Sequence, residues 1–188
     1  MIFYKVPCYN KGIRRNQRLL QYFLEKGEQI MAIYGYGRIS RKTQNIQRQV
    51  RNILSAFPTA EMYLEAFTGT KFFGRKEFDK ILKKVKPKDT IVFDEVSRMS
   101  RNAEEGVAQY FELFDMGVDL VFLKERYIDT SVYRKAIEES IQSTGNEIAD
   151  IYIEATNRVI RLLAKQQIIK AFEQAQKEVD FLHQRTKE

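Results

Sequence analysis

The sequence predicts an α/β fold: a mostly parallel sheet flanked by helices, followed by one long C-terminal helix. Three observations carry this. Apolar runs recur at Ala32–Tyr36, Met62–Phe67, Thr90–Val96 and Asp119–Leu123. Helical stretches lie between them, at about Gln44–Phe57, Lys76–Val85 and Asn102–Met116. Strands separated by helices of this size form parallel sheets covered on both faces. Finally, from Glu147 onward apolar residues recur at spacings of three and four almost to the terminus, the period of an amphipathic helix.

Taken in order, residues 1–30 read differently from the rest. Gln17–Leu24 could form a short helix, but nothing periodic leads into it. Met31 opens directly onto the first apolar run, and codons for Lys26-Gly27-Glu28 can spell a bacterial ribosome-binding sequence upstream of it. The natural protein is therefore expected to begin at Met31, with 1–30 an extension. Residues 31–146 form the expected α/β domain. Lys86-Pro87-Lys88-Asp89 makes a turn before the third strand, because proline stops the preceding helix. Gly117 takes the usual cap position after the third helix. A helix over Ser131–Ser143 is punctuated by Thr144-Gly145-Asn146.

The last unit, 147–188, carries Ile148, Tyr152, Ala155, Val159, Leu162, Ile169, Phe172, Val179 and Leu182 as a stripe. A helix of about 40 residues runs roughly 60 Å, too long to bury its stripe against a domain of this size. The excess is expected to pack on a second subunit or to lie on a partner, and dimerisation is the expectation drawn from it.

Composition narrows the partners. The chain of 188 residues has a 44% apolar share, enough for a real core, and fits one domain plus an appendage. Lys and Arg outnumber Asp and Glu by 32 to 25, for a net charge of +7, which favours a polyanionic partner. Cys8 is the only cysteine, so no intrachain disulfide can form and a reducing compartment fits. With His183 the only histidine, the usual structural zinc sites are excluded. No apolar stretch approaches the roughly 20 residues that span a bilayer, and the N-terminus lacks a signal-peptide core. A cytoplasmic protein without membrane contact is expected.

Two basic motifs close apolar runs: Tyr36-Gly37-Arg38-Ile39-Ser40 and Ser97-Arg98-Met99-Ser100-Arg101. Each puts arginine beside a hydroxyl where a strand would reach the surface, and ligand sites of open parallel sheets lie beyond the carboxyl ends of strands. A serine among guanidinium groups, with no histidine or acid beside it, suits phosphate chemistry better than acyl transfer, since arginine grips phosphate oxygens bidentately. Arg98 and Arg101 share one face if the segment turns helical after Val96. The basic loop Thr68–Lys76, with Lys71, Arg75 and Lys76, could fold over a phosphate. DNA phosphodiester cleavage is the leading reading. A P-loop ATPase is disfavoured, because Gly74-Arg75-Lys76 lacks the magnesium-binding hydroxyl. Asp94-Glu95 reads simply as a strand end.

In combination these motifs resemble the serine site-specific recombinases, the family of resolvases and DNA invertases, from Ala32 to about Leu123 and again near the C-terminus. The resemblance implies a resolvase-like catalytic domain followed by a dimerisation helix. It makes Ser40 the nucleophile of a 5′-phosphoserine intermediate, with Arg38, Arg75, Arg98 and Arg101 around the scissile phosphate. Gln44 and Gln49 fall at the family's usual intervals and would orient that cluster. Arg185 would approach the DNA backbone from the long helix, alongside Lys71 and Lys76. The implied partners are double-stranded DNA and a homodimer that assembles to a tetramer, and the resemblance implies that no metal or other cofactor is needed. Ser97 departs from the aspartate many small resolvases carry there, and no helix-turn-helix region is found in the sequence. Two alternatives stand beside this reading: a catalytically silent dimerisation or regulatory remnant of a recombinase, and a small-anion-binding protein of flavodoxin-like topology.

Overall fold

The computed structural model describes residues 31–39, 46–66 and 75–185, apart from the side chains of Ala66, Leu182, His183 and Arg185. Four parallel strands, β1 (Ile33–Ile39), β2 (Glu61–Ala66), β3 (Thr90–Phe93) and β4 (Asp119–Phe122), form one sheet in the order β2-β1-β3-β4. The register pairs Tyr36 with Tyr63 on one side and with Phe93 on the other. The α/β class and the parallel sheet expected from the sequence are what the chain adopts.

Alternation along the strands splits the core. Tyr34, Tyr36, Ile91, Phe93, Leu120 and Phe122 face the larger cluster, built with Phe78 and Ile81 of α2 (Lys76–Lys84) and Tyr110 and Leu113 of α4 (Ala103–Asp115). Ile33 and Val92 face the other side, under Ile53 of α1 (Gln47–Ala56). Strands are added on one side of β1 and then on the other, so the winding of the sheet turns back between β1 and β3, and the carboxyl ends of these two strands flank the topological switch point.

The turns follow their sequence chemistry. The Asp89 carboxylate accepts from the backbone N–H of Lys86 and of Ala32, so the proline turn is tied to the start of β1. Gly117 adopts φ of 76° just past α4, a conformation that suits a residue without Cβ.

Several expectations are corrected. β1 continues three residues beyond Tyr36, which draws Arg38 into the strand. The third apolar run divides: β3 stops at Phe93 and Val96 opens a four-residue helix, α3 (Val96–Met99). The helix expected to reach Ser143 is shorter, α5 (Thr130–Glu138), because the Asn157 side chain pairs with both backbone groups of Ile141 and holds the chain in a non-helical path.

The long helix, α6 (Glu147–Arg185), spans 39 residues, but its apolar stripe is not one continuous face. Ile168, Ala171 and Phe172 are buried on the chain's own core, where Phe172 meets Tyr110 and Phe122 edge-on. Ile148, Tyr152, Val159 and Leu162 stand in solvent, with Ile148 70% and Tyr152 72% exposed. Gly106 of α4 permits the buried half to dock: a Cβ there would lie 2.4 Å from Phe172 Cδ1.

Candidate active site

Four arginines converge beyond the carboxyl ends of β1 and β3. Arg38 is the penultimate residue of β1, Arg75 precedes α2, Arg98 sits in α3 and Arg101 lies just past it. Arg38 is 1% exposed, although the sequence placed it at the surface. Its backbone is clasped by Gln49 of α1: Arg38 N donates to Gln49 Oε1 at 3.0 Å, and Gln49 Nε2 donates to Arg38 O at 2.9 Å. A buried amide here satisfies the end of the strand and fixes the point from which Arg38 departs.

α3 is too short to hold itself together, and its carbonyls are taken by the cluster. Arg38 Nη2 donates to Ser97 O, Arg75 Nη1 to Met99 O, and Arg75 Nη2 to Arg98 O at 3.1 Å. Cations thus occupy the negative end of the helix. The Arg75 guanidinium also lies over the Tyr36 and Phe78 rings, 5.0 and 4.4 Å from their centroids, and its Nε donates to Tyr36 OH at 3.1 Å. Ser100 is extended, so Arg101 lies beyond the helix and does not share a helical face with Arg98 as the spacing suggested. The two still feel each other's charge.

Gathering these cations has an electrostatic cost. Burial, reinforced by the charges of Arg75, Arg101 and Arg98, pushes Arg38 down to about 9. Arg101 is lowered too, by burial and then by Arg98 and Arg75. Arg38 Nε and Arg98 Nε are buried with no hydrogen-bond partner among the described residues. Such a site, cationic at neutral pH and holding spare donors, is suited to a dianionic or phosphodiester ligand.

Sequence reasoning missed the acid beside the cluster. Glu95 Oε1 accepts from Arg98 Nη2 at 2.5 Å and from Ser97 Oγ at 2.6 Å, while Lys124 Nζ binds Glu95 Oε2. Burial pushes the Glu95 carboxyl up, but the bonds from Lys124 and Ser97 and the charge of Arg98 outweigh it and hold the group at about 2. The three-residue spacing from Glu95 to Arg98 was the available signal. Asp94, more deeply buried than Glu95, faces α1 and accepts from Asn52 Nδ2 at 2.8 Å.

Of the residues singled out from the sequence, Arg38, Gln49, Arg75, Arg98 and Arg101 come together, and Lys76 is exposed at the start of α2. Ser40, Gln44 and Lys71 lie outside the described residues, as does the side chain of Arg185.

Residues 33–169 match the family model described as the resolvase N-terminal domain, which covers the sheet, the arginine cluster and the first half of α6. The chain belongs to the resolvase family. The resolvase chain spans about half the length of the curated relatives it matches. A resolvase of Clostridium perfringens (strain 13 / Type A) is 26% identical over 100 residues, 53% of this chain and 52% of that protein. A second Clostridium perfringens resolvase is 24% identical over 100 residues, with the same coverage of both chains. Among solved structures, the N-terminal catalytic domain of TP901-1 integrase aligns with 70% of this chain and 98% of its own, at 20% identity and a TM-score of 0.42. A resolvase family site-specific recombinase from Streptococcus pneumoniae aligns with 77% and 97%, at 18% identity and a TM-score of 0.39.

Proposed function

We propose that this resolvase-family domain breaks and rejoins DNA strands through a covalent phosphoserine. The observation that carries the reading is the cluster of Arg38, Arg75, Arg98 and Arg101 at the switch point of the sheet, with Ser40 one residue beyond the end of β1. Ser40 Oγ attacks the scissile phosphorus. The new Oγ–P bond replaces the bond from phosphorus to the 3′ oxygen, which leaves and is protonated to a 3′ hydroxyl. The 5′ phosphate stays on the serine. Reversal by another 3′ hydroxyl rejoins the strand, since the phosphoserine ester conserves the energy of the bond it replaced.

The guanidiniums offset the charge that develops on the non-bridging oxygens, and a nearby guanidinium favours the serine alkoxide. Gln49 orients the cluster by holding the Arg38 backbone, and Gln44 is assigned the same duty. Lys71, Lys76 and Arg185 are the proposed contacts to DNA backbone. The exposed apolar half of α6 supports a homodimer, and two dimers on paired sites would form the tetramer that exchanges strands. Among the described residues no helix is long and apolar enough to cross a membrane.

The test is a covalent adduct. The chain is mixed with duplex DNA from the borders of its own locus, denatured and resolved on a gel beside Ser40→Ala. Label at 5′ ends that vanishes in the variant is the expected result. Folded protein that binds this DNA and forms no adduct overturns the proposal.

A further inference from the structure

Arg98 is the one arginine of the four that is only partly buried, with its side chain 19% exposed. It stands on a four-residue helix, and like charges on Arg38 and Arg101 push it outward. A long side chain under that repulsion would swing into solvent and lose its aim. Glu95 opposes this. Its carboxylate is 18% exposed and is held from three directions by Arg98 Nη2, Ser97 Oγ and Lys124 Nζ. Lys124 is itself fixed by the sheet, since its backbone N–H donates to Asp94 O at 3.2 Å just past the paired ends of β3 and β4. Arg98 Nη1 then reaches Arg38 O at 3.3 Å. The guanidinium is therefore clamped between a carboxylate anchored on β4 and the strand that leads to Ser40.

We propose that Glu95 is the positioning residue for Arg98, holding its guanidinium against the end of β1 through a carboxylate that Lys124 anchors. This rests on the reading of Arg98 as part of a phosphodiester-cleaving centre. A purely electrostatic role also strengthens attraction to DNA when the negative charge is deleted, but it predicts no fall in the rate at saturating DNA. Positioning separates the two quantities.

The experiment measures DNA affinity and the rate of adduct formation at saturating DNA for the wild type, Glu95→Ala, Glu95→Gln and Lys124→Met. Positioning predicts that Glu95→Ala binds DNA as well as the wild type or better, while its saturating rate falls by up to about 100-fold. Glu95→Gln keeps an acceptor oxygen for Arg98 and Ser97, so it recovers part of that loss and guards against a folding artefact. Lys124→Met, which frees one carboxylate oxygen, falls between Glu95→Gln and the wild type. A folded Glu95→Ala at the wild-type rate overturns the proposal, and so does a faster one, which would make Glu95 a brake. Arginine side-chain NMR reads the clamp without any reaction: Arg98 gives resolved, slowly exchanging Nη signals in the wild type and averaged ones in Glu95→Ala. Unchanged signals overturn the clamp. A wild type that forms no adduct refutes the phosphoserine mechanism instead, and the NMR result still decides the role of Glu95.

Discussion

Replacing Arg38 by methionine tests whether the cluster is built at the expense of the fold. Methionine fills much of the same volume without charge. Arg38 is buried and its basicity falls to about 9, a depression that corresponds to on the order of 5 kcal/mol against the charged form. The penalty is full below about pH 9 and is relieved only as pH rises through 9 toward the ordinary arginine range, where the unfolded chain still binds the extra proton. The variant also loses the bond from Arg38 Nη2 to Ser97 O, with a loss of about 1.5–3 kcal/mol for a charged donor. The difference leaves Arg38→Met more stable by roughly 2 kcal/mol at neutral pH, a rise in Tm of about 4–8 °C. Urea and thermal unfolding of both proteins supply the assay, with adduct formation expected to fall at least about 100-fold in the same variant. A variant that is less stable than the wild type by 1 kcal/mol or more, on the order of one lost hydrogen bond, would refute the reasoning. The carbonyl that Arg38 caps would then outweigh the charge it buries.

Other perturbations probe separate parts of the molecule. Arg98→Ala should lower adduct formation by about 100- to 1,000-fold with unchanged circular dichroism; a near-normal rate removes it from the chemistry. Gly106→Ala forces a methyl into the Phe172 ring and should lose about 1–3 kcal/mol in urea unfolding, with α6 loosened in hydrogen exchange. Gln49→Leu leaves the Arg38 amide without its side-chain partner and should lose about 1–3 kcal/mol, read from the same titration. The Glu95 carboxyl lies at about 2 in the fold against an ordinary 4.5. Its contribution, on the order of 3 kcal/mol, is present above pH 4.5 and is lost as pH falls through 2. Stability curves of the wild type and Glu95→Gln should therefore converge across that window, and parallel curves would contradict the assignment.

Much of this protein was legible one residue at a time. Local alternation and helical periodicity placed every strand and most helices among the described residues to within a few positions, since those patterns record which side of each element meets the core. Lys86-Pro87-Lys88-Asp89, Gly117 and Thr144-Gly145-Asn146 marked their turns through backbone chemistry that needs no distant partner. The two arginine motifs were visible because both follow apolar runs, and strand ends are where a parallel sheet presents ligands.

What remained hidden depended on contacts between segments far apart in sequence. β1 runs on through Arg38 because β2 and Gln49 complete its backbone pairing, which no property of Arg38 itself announces. α3 forms where a strand was expected because guanidiniums from β1 and α2 take up its carbonyls. Glu95 reads as an ordinary strand end until Lys124, brought beside it by the pairing of β3 with β4, anchors its carboxylate. The stripe on α6 shows a uniform period, yet Phe172 turns inward where Gly106 leaves room for its ring, while Ile148 and Tyr152 stand exposed. Periodicity fixed the elements, because it is a local record of burial. The site and its electrostatics were decided by tertiary structure, because charges act through space on neighbours that the chain order does not reveal.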